Sequence, residues 1–162
     1  MGQSFYEADA DARAVFDEAS ELLGYDMKAL CFEENEKLNL TQYTQPAMVT
    51  TGIAIMKVVE KQGLLPDTAA GLSLGEYEAL YAAGALSVTD AIRVVARRGE
   101  LMEAAVPAGV GAMAAVLGAE ASLIEETLSE IPEVWIANYN CPGQIVISGK
   151  KEAVEAAAEA LK

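Results

Sequence analysis

At 162 residues the chain can hold one sizeable core or two small subdomains, and a hydrophobic fraction of 52% excludes a disordered polypeptide. A formal net charge of −14 argues against nucleic acid and anionic membrane as partners, because both repel such a surface. No apolar stretch is long and charge-free enough to span a bilayer, and the N-terminus lacks the basic and apolar regions of a secretory signal, so the expected compartment is the cytoplasm.

Asp9 to Leu23 reads as an amphipathic helix with Val15, Phe16, Ala19, Leu22 and Leu23 on one face and Gly24 as its stop. Asp26 to Phe32 predicts a short helical turn carrying Cys31, and Glu33 to Lys37 a solvated loop. Cys31 and Cys141 have neither metal nor redox spacing and fit reduced thiols, and no metal site is expected. Thr44-Gln45-Pro46 predicts the start of a long helix with proline in its first turn, running to about Lys61 and ended by Gly63. Asp67 to Ala70 reads as a short buried strand, Glu76 to Ala83 as a helix stopped by Gly84. Ser87 and Asp90 form a capping box for a helix that reaches about Ala105. The stretch from Pro107 to Gly111 marks the expected subdomain boundary. Beyond it come a strand at Ala112–Leu117, a helix at Ser122–Leu128 with Ser122 and Glu125 as a capping pair, strands at Val134–Ala137 and Gln144–Ser148, and an Ala-rich helix from Lys151. The order β-α-β-β-α is a ferredoxin-like unit lacking its last strand, and the class of the whole is α/β.

The chemistry centres on Gly71-Leu72-Ser73-Leu74-Gly75, a G-x-S-x-G placed between a strand and a helix. That context makes a nucleophile elbow: Gly71 and Gly75 admit the sharp turn, since a Cβ at either is expected to collide, and Ser73 stands at its tip. The following helix start offers free N–H groups to an oxyanion, with the Leu74 amide as the donor. A serine hydroxyl needs a base, most often a histidine, and this chain has none. Either the base comes from other polypeptide or Ser73 is inert; no S-x-x-K spacing offers a lysine instead.

Arg98 falls on the apolar stripe of its helix, among Ala91, Val94, Val95 and Met102, whereas Arg93 and Arg97 share the polar face. An inward guanidinium needs an anion. It is either paired with one of the chain's own carboxylates, or snorkelling outward, or a fork for a substrate carboxylate. Gln45 either caps its helix or lines a pocket. Asn138, Asn140 and Gln144 flank Pro142-Gly143 and read as turn residues.

Residues 71–80, Gly-Leu-Ser-Leu-Gly-Glu-Tyr-Glu-Ala-Leu, closely resemble the elbow of malonyl-CoA:acyl-carrier-protein acyltransferases, whose usual form is G-H-S-L-G-E-Y-S-A-L. Asn39-Leu40-Thr41 with Thr44-Gln45-Pro46-Ala47, Arg98-Gly99-Glu100-Leu101-Met102, Gly111 to Ala115 and Asn138 to Gly149 are similar to further segments of that family, in the same order. The resemblance spans essentially the whole chain and is nearer the free-standing enzymes of fatty-acid synthesis than polyketide synthase modules. It implies a partial α/β-hydrolase-like acyltransferase core over residues 1–108 and a ferredoxin-like small subdomain over 109–162, each incomplete.

By that resemblance Ser73 takes malonyl from malonyl-CoA as a covalent ester, and the phosphopantetheine thiol of acyl carrier protein then removes it, with no cofactor of the chain's own. Arg98 holds the malonyl carboxylate, Leu74 serves the oxyanion, Gln45 lines the pocket, and Leu72, replacing the usual histidine, bears on selectivity. The family's opening strand with its glutamine motif and its catalytic histidine have no counterpart here, so the chain reads as about the first half of an enzyme. A complementing C-terminal half is then an expected partner, and a marginal or self-associating isolated chain the expected behaviour. The alternative is a non-catalytic acyl- or carrier-protein-binding module or pseudoenzyme subunit. A simple serine esterase fits less well, because an inward arginine suits an anionic acyl group.

Overall fold

The computed structural model describes residues 1–107 and 109–162. It divides into two compact units, Met1–Ala105 and Val106–Lys162. The boundary expected at 108 falls on Ala108, outside the described residues.

The first unit is helical. A short helix, α1 (Gln3–Ala8), unforeseen from the sequence pattern, precedes α2 (Ala10–Leu23). Asp9 caps α2 by accepting from the Asp11 and Ala12 amides, and Gly24 ends it in the left-handed region at φ 73°. The buried face of α2 is Ala12, Val15, Phe16 and Ala19, with Leu22 and Leu23 only partly covered. Asp26 caps α3 (Met27–Phe32), and a 3-10 turn at Glu36–Asn39 occupies the end of the expected loop.

The long helix α4 begins three residues earlier than its proline suggested, spanning Thr41–Lys61, so Pro46 lies inside it. The Thr44 hydroxyl bonds the Leu38 and Leu40 carbonyls, anchoring that entry. The helices α5 (Gly75–Ala82) and α6 (Val88–Ala105) complete the unit. Ser87 Oγ accepts from the Asp90 amide at 3.0 Å and donates to the Asp90 carboxylate at 2.7 Å, so half of the expected capping box forms.

The strand expected at 67–70 does not form. Residues 64–70 are exposed, bend at Asp67 and belong to no strand or helix. A strand exists only through hydrogen bonds to a neighbour, and this unit's described elements are all helical. Between this segment, α4 and α5 lies an open groove of about 690 Å³, lined by Met56, Val59, Leu64, Pro66, Glu78 and Ala82.

The second unit runs β1 (Gly111–Leu117), α7 (Ala121–Ser129), β2 (Val134–Cys141), β3 (Gln144–Lys150) and α8 (Lys151–Ala160). The sheet order is β1-β3-β2, antiparallel throughout, as a ferredoxin-like β-α-β-β-α requires. Its core joins Val116, Val134, Ile145 and Ile147 of the sheet to Ile124 of α7 and Val154 and Ala157 of α8. β2 and β3 are both longer than expected: Asn138 and Asn140 belong to β2, β3 reaches Lys150, and the turn shrinks to Pro142-Gly143. The Ser122–Glu125 cap is absent. Ser122 lies inside α7, and Glu125 instead accepts from the Tyr139 hydroxyl at 2.6 Å.

Candidate active site

The elbow at 71–75 is built by backbone crowding. A Cβ on Gly71 would sit 2.0 Å from the Gly75 carbonyl oxygen and 2.5 Å from the Glu76 nitrogen, so only glycine fits there. The matching expectation for Gly75 fails: a Cβ there meets nothing within 4 Å. Turning the chain into α5 puts Ser73 at φ 53°, one of two non-glycine residues in the left-handed region among those described. Ser73 is thereby exposed at the tip, with Leu72, 69% exposed, beside it. Leu74 leads into α5, and its N–H makes no hydrogen bond among the described residues.

Arg98 meets this tip from α6. Its Nη2 donates to Ser73 Oγ at 2.9 Å, and its Nη1 donates to Gln45 Oε1 at 2.6 Å. Both of these hydrogen bonds go to neutral acceptors, an amide and a hydroxyl, in place of the internal ion pair left open by the sequence. Arg98 is half-buried rather than inward-pointing. The buried face of α6 is Ala91, Ile92, Val95 and Gly99, whereas Val94 and Met102 are 43% and 46% exposed. Arg98 thus sits on the border of the apolar stripe, where a guanidinium keeps solvent access at modest desolvation cost.

Gln45 is 5% exposed and does not cap α4. It accepts from Arg98 and donates through Nε2 to Met102 Sδ at 3.1 Å. The Tyr77 ring lies 5.8 Å from the Arg98 guanidinium carbon, within cation–π range. The sequence reading did not single out Met102 and Tyr77 for these positions. For Met102 the signal was nonetheless present, since it follows Arg98 by four residues on α6 and shares its face; Ser73 lies outside α5, so no helical spacing pointed to Tyr77.

Gly99 makes this convergence possible. A Cβ on it would lie 2.8 Å from Gln42 Cα and 2.9 Å from the Thr41 carbonyl, so α6 touches the first turn of α4 backbone to backbone. That contact carries Arg98 to Gln45. Below the site, Glu78 of α5 packs against Gly52 of α4, and burial raises its carboxyl pKa above the ordinary value.

No group of three or more histidine, cysteine, aspartate or glutamate side chains that could hold a metal occurs among the described residues. The arrangement of hydroxyl, guanidinium, buried amide and free backbone N–H suits an acyl group bearing a negative charge.

The sequence pattern of the acyl transferase domain matches residues 1–162. The malonyl CoA-acyl carrier protein transacylase of Bacillus subtilis strain 168 is 49% identical over 167 aligned positions, covering 100% of this chain and 53% of that protein. Its counterpart in Escherichia coli K12 is 47% identical over 153 positions, covering 91% and 50% respectively. Among solved structures, the transacylase from Streptococcus pneumoniae superposes with a TM-score of 0.87 at 48% identity, over 99% of this chain and 54% of that one. A malonyl-transacylase solved in complex with a type II polyketide acyl-carrier protein gives 0.89 at 42% identity, over 99% and 54%. The chain spans about half the length of the curated relatives it matches.

Proposed function

Because the chain belongs to the acyl transferase domain family, we propose that it carries the acyl-accepting half of a malonyl-CoA:acyl-carrier-protein transacylase of fatty-acid synthesis. Ser73 is the nucleophile. A base outside these 162 residues takes its proton, Oγ attacks the malonyl thioester, the Leu74 N–H receives the oxyanion, and coenzyme A leaves as the thiol with that proton. The phosphopantetheine thiol of acyl carrier protein then attacks the ester, loses its proton to the same base and regenerates the Ser73 hydroxyl. Arg98 fixes the malonyl carboxylate, Gln45 holds Arg98, and exposed Leu72 borders the entry where relatives of the usual pattern carry histidine. The chain itself needs no cofactor in this scheme, and free cysteines at 31 and 141 suit a cytoplasmic setting.

The observation that supports this reading is the 2.9 Å approach of the Arg98 guanidinium to Ser73 Oγ, a cation within reach of an acyl group carried on that oxygen. Intact-mass measurement after incubation with malonyl-CoA tests it. The 162-residue chain alone, lacking histidine, gives little or no adduct. Together with a histidine-bearing C-terminal half from a relative, it gives a stoichiometric malonyl adduct on Ser73, which Ser73→Ala abolishes. Complementation without acylation favours the other reading, a non-catalytic binding subunit, to which the absence of histidine points.

A further inference from the structure

In this structure the guanidinium that is positioned for a substrate carboxylate is engaged by the nucleophile. Arg98 Nη2 donates to Ser73 Oγ, taking one of its two lone pairs and covering one side of the oxygen. Nη1 is separately anchored on buried Gln45, which Met102 orients from behind, and the Tyr77 ring lies near the guanidinium. Arg98 is thus held at one edge and free to change partner at the other.

We propose that Arg98 is a substrate-released latch on Ser73. At rest it sequesters the hydroxyl, and only an acyl group carrying its own carboxylate draws it away and frees the oxygen to attack. The inference rests on the malonyl reading above. Its physical basis is the ranking of acceptors. A carboxylate brings an opposite charge and accepts two parallel bonds from a guanidinium, whereas the neutral Ser73 hydroxyl accepts one, so a malonyl carboxylate outcompetes Ser73. With Nη1 kept on Gln45, Nη2 and Nε form the pair of donors left for that carboxylate. An acetyl group offers no anion there, so the latch stays closed. Selection against uncharged acyl groups then acts at the bond-forming step as well as in binding, because part of the carboxylate's interaction is spent on uncovering the nucleophile.

The latch makes a prediction that a simple carboxylate fork does not. If Ser73 competes for Arg98, removing the hydroxyl strengthens carboxylate binding. Monomethyl malonate, whose ester stands for the thioester, and methyl acetate are titrated into the 162-residue chain, with the backbone amide resonances of residues 72–77 as the NMR readout in every variant. Ser73→Gly suits the left-handed backbone at this position, and Ser73→Ala is the second variant. Both are expected to bind monomethyl malonate about fivefold to tenfold more tightly than the parent, the worth of one ordinary hydrogen bond. In an Arg98→Ala background the same substitutions change nothing, and methyl acetate responds to none of them. If monomethyl malonate binds through Arg98 but the Ser73 variants bind it equally or more weakly, the latch is overturned while the carboxylate role of Arg98 stands. If Arg98→Ala leaves monomethyl malonate binding intact, the carboxylate role falls and the latch with it.

Discussion

Arg98 is the residue on which the functional reading turns, and its partners define what replacing it does. In the complemented enzyme, Arg98→Ala is expected to lower malonyl transfer by about two orders of magnitude or more, the scale of a lost charge-assisted pair, while acetyl transfer is unchanged or rises because Ser73 is no longer covered. Equal loss for both acyl groups in a kcat/KM comparison would remove the carboxylate role. Glu78 offers a test of a different kind. Burial against Gly52 holds its carboxyl above the ordinary 4.5, and no partner compensates among the described residues. The unfolded chain therefore ionises it first, and the fold loses stability as pH rises from about that value through the raised one. Glu78→Gln is expected to raise Tm at pH 7 by a few degrees and to have little effect near pH 4, checked by thermal unfolding of both proteins across that range.

Among the elements, the elbow and the α4–α6 contact rest on two glycines that a substitution pair can separate from the rest. Gly71→Ala places a methyl against the α5 backbone and is expected to unseat the elbow and Ser73 with it. Gly75→Ala, at the first position of α5 with open space around it, is expected to be neutral or stabilising by up to about 1 kcal/mol. Gly99→Ala must push α6 off the first turn of α4 and costs about 1–3 kcal/mol, by the usual penalty for overpacking. Denaturant midpoints of the three variants check this order. If Gly75→Ala proves the most damaging, the crowding argument is wrong. The helix boundaries were largely legible because their signals are local: Asp9, Asp26 and Ser87 cap, and Gly24 and Gly84 stop. Pro46 misled because it stands in the second turn of α4, where it withholds a single N–H and its fixed φ still suits the helix, while the Thr44 hydroxyl anchors the turn before it on the Leu38 and Leu40 carbonyls.

Over the whole chain each unit has its own core, and in the second the outer edges of β1 and β2 have no neighbouring strand among the described residues. The free edge of β1, Gly-Ala-Met-Ala-Ala-Val-Leu, carries no charge and no proline, and its pairing with β3 is unbroken over seven residues. Such an edge invites another strand. The isolated chain is therefore expected to self-associate with rising concentration, as measured by sedimentation velocity, despite the solubilising charge of −14. A concentration-independent monomer would show that the edge is covered some other way.

By itself the sequence determined the helices other than α1, the β-α-β-β-α order, the elbow with Ser73 at its tip, and the candidacy of Arg98 and Gln45. Capping, periodicity and tight turns are governed by neighbours a few residues away, and the family likeness lies in short runs. Only the tertiary structure decided that Arg98 bonds Ser73 and Gln45 rather than an internal carboxylate, that Met102 and Tyr77 belong to the same cluster, and that residues 64–70 form no strand. Those outcomes depend on which distant segments meet. A hydrogen bond between Arg98 and Gln45 requires two helices to touch at Gly99, and a strand requires a neighbour, and neither condition is written in the residues that satisfy it.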